Sequence, residues 1–276
     1  MALESLRFQG RSPRQGTLCV INGWLSQTTT ERFGMKLQEV YDFLDKISPF
    51  ELQEKWDSSG LVVGEMSREI SEVVLALDVD EDMIASTKEG TLFIVHHPLI
   101  FGELTQLDFA KYPSNLIEKM ILKKQSLIAM HTNFDQTHLN RYVFEKVLGF
   151  KVDEQNAFLC TTKGEWKYKE LLTLIKEKLN LPTLRVIGKK EVIHSIALTT
   201  GAGASLMDEV KADCFLTGDI KYHDAMKAMS ENLMMVDIGH YESERYFAEI
   251  LLEELKVLPI LAIIANSKNP FHMETL

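Results

Sequence analysis

Three short apolar runs separated by two helical patterns constrain the fold of this chain most. The runs cover Val73–Val79, Leu92–Val95 and Ser126–Met130, and their lengths are typical of buried strands. Glu81–Lys88 and Ser114–Lys124 lie between them and have the spacing of helices. Because parallel strands need a long crossover, usually a helix, this order predicts βαβ units and a parallel sheet.

The second half of the chain alternates in a similar way. A helix is expected over Lys167–Leu179, and another from about His240 through Leu255. The strands predicted around them are Arg185–Ile187, Val192–Thr199, Asp213–Thr217, Leu233–Ile238 and Ile260–Ala265. The whole pattern predicts an α/β fold with mixed or parallel sheets flanked by helices.

Residues 1–34 differ from the rest of the chain. They carry four arginines, Arg7, Arg11, Arg14 and Arg32, and their hydrophobic periodicity is poor. The run Leu18–Leu25 is interrupted by Asn22 and Gly23, so it is marginal as a signal-peptide core. We expect a leader or a mis-started extension that lies outside the fold, with Met35 as the natural start.

Composition limits the classes of function. A net charge of -10, from 40 acidic against 30 basic residues, makes nucleic acid an unfavourable partner. The three cysteines, Cys19, Cys160 and Cys214, form no CxxC pair, which argues against a disulfide framework and a thiolate metal site. No apolar run approaches the ~20 residues of a membrane span. We therefore expect a soluble, cytoplasmic protein with no membrane partner.

Two adjacent histidines, His96 and His97, follow the strand Leu92–Val95 directly. Inside a strand, neighbouring side chains point to opposite faces, but beyond the carboxyl end both can turn toward one cavity. Open α/β sheets place their sites at this end of the strands. A pair of surface or capped histidines is the alternative interpretation.

Three later strands also end in polar side chains. The pairs are His131 with Asp135, Asp219 with His223, and His240 with Glu244. His240 and Glu244 are four residues apart, so on a helix they share one face. Asp135 is a candidate metal ligand, and His131 is a candidate ligand or a residue that orients one. The alternative for both is a cap of the helix that we expect from about Leu139 to Leu148.

Two loops have weaker signals. Asp57 lies in the turn-forming segment Trp56–Leu61, and we expect it to be a turn or cap residue, with lining of the site as a second interpretation. The glycine loop Gly201–Ser205 joins a strand to a helix. It suits either phosphate binding through free N–H groups or a plain tight turn.

Together the four strand ends match a metal site with nitrogen and oxygen ligands and no thiolates. Such ligands suit zinc, iron, manganese or nickel. Five or six of them exceed what one tetrahedral ion uses, so two ions about 3.5–4 Å apart, bridged by a carboxylate and a water, are the economical interpretation. Two-metal sites of this kind perform hydrolysis.

At these motifs the sequence resembles the GTP cyclohydrolase 1 type 2 homologs, the Nif-three-like proteins. The motifs that carry the resemblance are Trp56-Asp57-x-x-Gly60-Leu61, His96-His97-Pro98, His131-Thr132-Asn133-x-Asp135, Thr217-Gly218-Asp219-x-Lys221-x-His223-Asp224, Gly239-His240-Tyr241-x-Ser243-Glu244 and Asn269-Pro270-Phe271. The resemblance implies a two-lobed α/β protein with a dinuclear metal site in the cleft between lobes. It places the N-terminal lobe at residues 35–150 and the C-terminal lobe at 151–276, and implies a ring-like homohexamer.

The resemblance also implies roles for individual residues. The metal ligands it gives are His96, His97, Asp135, His240 and Glu244. It places His131 beside the ligands and has Asp219 and His223 lining the cavity, so these three are the catalytic candidates.

The activity expected from the resemblance is metal-dependent hydrolysis of a nucleotide or another phosphorylated small molecule, and the family name suggests GTP. The alternative is a non-catalytic, metal-dependent binding or regulatory scaffold, since a shared fold does not settle function. A third interpretation is that the histidines are structural and bind no metal.

Overall fold

The computed structural model describes residues 34–272 and residue 274. The leader predicted for residues 1–34 therefore lies outside the described residues, apart from Gly34. The strands are β1 (Met35–Lys36), β2 (Gly60–Val63), β3 (Glu69–Ile70), β4 (Val73–Ala76), β5 (Leu92–Val95), β6 (Ser126–Ala129), β7 (Glu154–Asn156), β8 (Leu159–Lys167), β9 (Arg185–Ile187), β10 (Val192–Leu198), β11 (Cys214–Thr217), β12 (Met234–Asp237) and β13 (Ala262–Ile264).

The helices alternate with these strands as the sequence predicts. They are α1 (Leu37–Ile47), α2 (Glu81–Ser86), α3 (Ser114–Leu122), α4 (Thr132–Phe134), α5 (Asn140–Tyr142), α6 (Tyr168–Leu179), α7 (Tyr222–Ser230), α8 (His240–Glu244) and α9 (Phe247–Leu255). Short 3₁₀ turns lie at Phe50–Leu52 and Ala204–Glu209.

The first lobe is built on a five-stranded sheet in the order β13-β4-β5-β6-β2. β13, β4, β5 and β6 are parallel, and β2 is antiparallel at the edge. Val95 pairs with Ala76 on one side and with Ala129 on the other. Because these strand ends are in register, the residues after them emerge at the same edge of the sheet.

The second lobe is built on a six-stranded sheet in the order β7-β8-β10-β11-β12-β9. β10, β11 and β12 are parallel, while β8 and β9 are antiparallel to their neighbours. Thr217 at the end of β11 pairs with Asp237 at the end of β12. The loops that carry Asp219 and His240 therefore leave this sheet side by side.

One apolar core joins the two sheets. Leu75 of the first sheet and Leu216 of the second belong to the same buried cluster as Phe134 and Phe247. The Phe134 and Phe247 rings are 5.0 Å apart, and the Phe247 ring lies 5.1 Å from the ring of His96. Each such buried side chain stabilises the fold by about 1.5–3 kcal/mol, and this core also closes one side of the histidine cluster.

The last strand returns to the first lobe. β13 pairs in parallel with β4, with Ala262 opposite Val73. The expected boundary at residue 150 assigns all later residues to the second lobe. β13 lies near the C-terminus but completes the first sheet. We propose two lobes in which residues 262–264 belong with residues 35–150.

Two predicted helices differ from the observed ones. The helix expected from His240 through Leu255 is two helices, α8 and α9, separated at Arg245 and Tyr246. The helix expected from about Leu139 starts earlier, at Thr132, because π-helical turns at Asp135–Leu139 and Val143–Val147 continue α4 and α5. A π turn holds one more residue than an α turn and is frequent at functional sites.

Within the described residues, no helix combines the length and the apolar character needed to cross a membrane.

Candidate metal centre

His96 is fully buried and has one ring nitrogen without a partner. Its Nδ1 donates to the carbonyl oxygen of Met130 at 2.9 Å, so Nδ1 carries the proton and Nε2 carries a lone pair. Among the described residues Nε2 has no hydrogen-bond partner. It lies 3.5 Å from Asp135 Oδ1 and 3.6 Å from Glu244 Oε1. Because a buried, unsatisfied acceptor is costly, Nε2 is well suited to bind a ligand such as a metal ion.

His97 faces the same centre from the other side of the strand end. Its Nδ1 donates to Asp78 Oδ1 at 2.8 Å, and its Nε2 lies 3.0 Å from Glu244 Oε2. Past the end of β5 both histidines thus reach Glu244, as expected for residues beyond a strand's carboxyl end.

His240 and Glu244 are supplied by α8 of the second lobe. Their four-residue spacing places His240 Nε2 2.9 Å from Glu244 Oε2. His240 Nδ1 donates to Asp219 Oδ2 at 2.7 Å, and its Nε2 lies 3.2 Å from Nε2 of His97. The cleft between the lobes therefore brings residues of both sheets within hydrogen-bonding distance.

His131 is held in the same way by a different loop. Its Nδ1 donates to Asp57 Oδ1 at 2.8 Å, and Asp57 Oδ2 also accepts the backbone N–H of Thr132. Asp57 thus bonds the backbone of a turn, as expected, and it reaches the site only through His131. The His131 ring lies 5.1 Å from that of His96 and 5.6 Å from that of His97.

Asp135 lies in the π turn that follows β6 and is almost fully buried. Burial and the nearby Glu244 carboxylate raise its pKa well above the ordinary value for Asp. Thr200 donates its hydroxyl proton to Asn140 Oδ1 at 2.7 Å, and its oxygen is 3.5 Å from Asp135 Oδ1. In the absence of a cation, two carboxylates packed beside one neutral imidazole are unfavourable.

The histidine pKa values reflect their surroundings. Burial lowers the pKa of His96 to about 4, so its ring is neutral at pH 7. Burial alone would also lower the pKa of His97, but hydrogen bonds to Asp78 and Glu244 raise it to about 10. Contacts with Glu244 and Asp219 likewise outweigh burial and raise the pKa of His240 to about 9.

The donor set fits divalent metal ions. Three groups have ligand atoms within 4.8 Å of one another: His96 with His97 and His131, His97 with His240 and Glu244, and His96 with Asp135 and Glu244. Each of the four histidines has its Nδ1 held by a carboxylate or a carbonyl, which is the usual arrangement of metal-bound imidazoles. The unsatisfied Nε2 of His96 is the strongest single sign of this fit.

The sequence model of the Duf34/NIF3 (NGG1p interacting factor 3) family matches residues 35–270. The chain belongs to this family. The resemblance found at the motifs is thereby confirmed, and so is the expected two-lobed α/β fold.

Two curated relatives of the Duf34/NIF3 chain match most of its length. A protein of Campylobacter jejuni named GTP cyclohydrolase 1 type 2 homolog is 49% identical over 239 residues, covering 86% of this chain and 99% of the relative. A Helicobacter pylori protein named GTP cyclohydrolase 1 type 2 is 40% identical over 239 residues, covering 86% of this chain and 98% of the relative.

A solved structure supports the family fold. The crystal structure of a hypothetical protein from Staphylococcus aureus matches with a TM-score of 0.75 at 25% sequence identity. The match covers 87% of this chain and 100% of the other.

The glycine loop of this Duf34/NIF3 chain makes room for the Glu244 carboxylate. The N–H of Gly201 donates to Ser243 Oγ and that of Gly203 to Thr217 Oγ1, so both are already used. A Cβ on Gly201 would collide with the Glu244 carboxylate, and its φ of +62° favours glycine. The turn interpretation therefore fits better than phosphate binding.

The two other catalytic candidates have different positions. Asp219 adopts a φ of +52°, unusual for a non-glycine residue, and this conformation directs its carboxylate to His240 Nδ1. His223 is exposed in the first turn of α7, where its ring lies 5.4 Å from that of Tyr222. It belongs to none of the three groups of ligand atoms among the described residues.

Sequence reasoning missed the role of Asp78. The Asp78 carboxylate lies near the end of the predicted strand Val73–Val79. Its partner, His97, is 19 residues away in the chain and becomes adjacent only because β4 and β5 pair. Two neighbouring parallel strands, one followed by a carboxylate and the other by a histidine, are the sequence pattern that could have indicated this pair.

Proposed function

We propose that this chain is a metal-dependent hydrolase that acts on a nucleotide or another phosphorylated small molecule. In this proposal two divalent ions, zinc, iron, manganese or nickel, are held by His96, His97, Asp135, His240 and Glu244. The observation that carries it is the buried Nε2 of His96, which has no partner among the described residues and lies between the carboxylates of Asp135 and Glu244.

Glu244 suits the role of the bridging carboxylate. One of its oxygens is directed to His96 and the other to His97 and His240. Two ions held by these residues would acidify a bound water and would polarise a phosphoryl or carbonyl group. The buried position of Glu244 keeps its charge away from bulk water, which strengthens its interaction with a cation.

His131 is the candidate proton carrier. Because Asp57 accepts from Nδ1, the proton that His131 exchanges with substrate or water is the one on Nε2. Burial alone would raise the pKa of Asp57, but hydrogen bonds from His131 and Thr132 hold it well below its usual range. The ionised Asp57 fixes the tautomer and the orientation of the His131 ring.

The test is turnover by metal-loaded protein. The full chain is loaded separately with zinc, iron, manganese and nickel, its metal content is measured, and GTP and a panel of phosphoesters are supplied. GTP comes first because two relatives carry the name GTP cyclohydrolase 1 type 2 or a homolog of it. We expect turnover that needs metal and falls by about 10²-fold or more in His131→Gln.

A fully loaded protein with no turnover on any substrate contradicts the hydrolase. That result, together with a stoichiometric protein partner in a pull-down, favours the regulatory scaffold. If the protein binds no metal and His96→Ala leaves its metal content unchanged, both the hydrolase and the metal-dependent scaffold are contradicted.

Assembly and location belong to the same proposal. We propose a homohexamer in the cytoplasm, and the support is the family resemblance together with the charge and cysteine pattern of the sequence. Sedimentation equilibrium of the full chain tests the first part, since a monomer or dimer at micromolar concentration contradicts it.

A further inference from the structure

A cleft of about 240 Å³ opens beside His97 and His240, next to the metal centre. One side of it consists of the polar groups Asp78, His97 and His240, and the other of apolar side chains, Val79, Pro98, Leu99, Phe101 and Tyr112. The two aromatic side chains are unusually exposed, 57% for Phe101 and 70% for Tyr112.

Phe101 connects the cleft to the metal centre. Its ring lies 5.9 Å from the ring of His131, nearly perpendicular to it. A molecule packed on Phe101 is therefore close to the metal-facing histidines. Exposed aromatic rings at the mouth of a polar site offer open area on which a flat molecule can stack.

The side of the cleft away from His97 and His240 offers no cation to a phosphate group. None of the described residues that line it is a lysine or an arginine. The carboxylate of Asp78 is 57% exposed at its edge, so a phosphate there meets a negative charge. Only the metal-binding side attracts anions.

The size of the cleft limits its occupant further. Pockets for drug-sized ligands have about 300–1,000 Å³, and this one is smaller. One fused or single ring fills it, while the sugar and phosphates of a nucleotide do not fit as well.

We propose that this cleft binds one planar, uncharged ring of the substrate, such as a nucleobase, between its polar side and the rings of Phe101 and Tyr112. A polar substituent of the ring then points to the side of the metal centre formed by His97 and His240. The inference rests on the proposed function, because it names the part of the substrate that the site recognises.

Binding to metal-loaded full chain tests the proposal. The probes are guanosine and uridine, which have an uncharged base, and ribose 5-phosphate and inorganic triphosphate, which have none. We expect at least one nucleoside to bind at least tenfold more tightly than ribose 5-phosphate. Stacking on an aromatic side chain contributes about 1–3 kcal/mol per base, so Phe101→Ala and Tyr112→Ala should weaken nucleoside binding by about 5- to 150-fold.

Matched variants separate stacking from folding. Phe109→Ala is the control, because Phe109 lies on the same loop, is 47% exposed and does not line the cleft. Phe101→Leu keeps an apolar side chain without a flat ring and should weaken binding, whereas Phe101→Trp should retain it. Metal content is measured for each variant and should equal that of the parent.

Three results overturn the proposal. They are binding of ribose 5-phosphate or triphosphate without binding of either nucleoside, equal nucleoside affinity in Phe101→Ala and Phe109→Ala, and no binding of any probe by the loaded parent. Failure of the proposed hydrolase activity can be distinguished from failure of the ring-binding proposal. Ring binding without turnover contradicts the hydrolase alone, and turnover unaffected by Phe101→Ala contradicts the cleft alone.

Discussion

The Glu244 carboxylate lies 3.0 Å from Nε2 of His97, although the two residues follow strands of different sheets. The same carboxylate is 2.9 Å from His240 of its own helix and 3.6 Å from His96 across the cleft. Asp135, in contrast, approaches His96 but neither His97 nor His240 at salt-bridge distance. The two acidic residues should therefore contribute differently to metal binding.

Glu244→Gln should reduce bound metal more than Asp135→Asn does. We expect fewer than one ion per chain for the first and about one for the second, since Glu244 contacts histidines of both lobes. Metal per chain after dialysis, measured by mass spectrometry, checks this. Glu242→Gln is the control, because Glu242 accepts from Asn269 at 2.9 Å and touches none of the histidines. Equal metal content in both variants would contradict the bridging role.

Replacing the carboxylates behind the histidines should weaken metal binding without abolishing it. Asp78→Asn and Asp219→Asn each replace the charged acceptor of a histidine Nδ1–H by a neutral amide, and changes to such partners typically cost about 10–100-fold in affinity. Competition with a chelator measures the affinity. Asp82→Asn, which loses an exposed ion pair with Lys268, should change nothing. Unchanged affinity in the two site variants would exclude an orienting role.

Gly201→Ala should lose both stability and metal. The new Cβ would collide with Glu244 in addition to straining a left-handed backbone. Gly102→Ala is a matched control, because Gly102 has a similar φ of +70° and a Cβ added there would meet no atom within 4 Å. We expect a loss of about 1–2 kcal/mol from thermal unfolding for Gly102→Ala and a larger one, with reduced metal content, for Gly201→Ala. If the two variants lose similar amounts of stability and keep the same metal content, backbone strain alone explains the effect of Gly201→Ala.

Metal binding should release protons. Hydrogen bonds raise the pKa of His97 to about 10 and that of His240 to about 9, so in the metal-free protein both are charged at pH 7. A histidine binds a metal ion through its neutral ring, so binding expels a proton from each, and affinity should rise with pH up to about 10. Calorimetry in buffers of different ionisation enthalpy counts the protons. Release of none would contradict the roles given to both residues.

The same pKa values set the stability of the metal-free protein. His97 and His240 are charged in the folded state, and their contribution is complete below the unfolded pKa of about 6.5 and lost as pH rises through about 9 and 10. His96 acts oppositely, since its pKa of about 4 means that stability falls as pH drops from about 6.5 to 4. Chemical denaturation against pH should therefore show a maximum near pH 6.5, and metal should flatten it. A maximum well above pH 9 would contradict these assignments.

Local patterns of the sequence predicted the strands and their polar ends. The run Leu92–Val95 is a strand with the predicted bounds, and its neighbours β4 and β6 differ from prediction only at their ends. Parallel pairing then places His96, His97, His131 and Asp135 together without further information. The alternation of apolar runs with helical patterns was sufficient to predict these strands, because apolar runs of this length form buried strands.

The sequence alone did not show which side chains distant in the chain contact one another. Asp78, Asp57 and Asp219 hold histidines that are 19, 74 and 21 residues away in the chain, and a lone aspartate after a strand has several equally good uses. The return of β13 to the first sheet was hidden for the same reason, since an apolar strand pattern does not specify its neighbour. Exposure of His223 likewise depends on how α7 packs, which its motif does not reveal.

The pairing of β13 with β4 means that the chain crosses between the lobes twice. The tail after β13 adds to the second crossing, because Ser267 accepts the N–H of Leu77 with its hydroxyl and the hydroxyl proton of Tyr241 with its carbonyl. Together with the buried apolar cluster that the two sheets share, these two crossings hold the lobes against each other. The histidines and carboxylates that meet in the cleft are therefore preorganised by the fold itself.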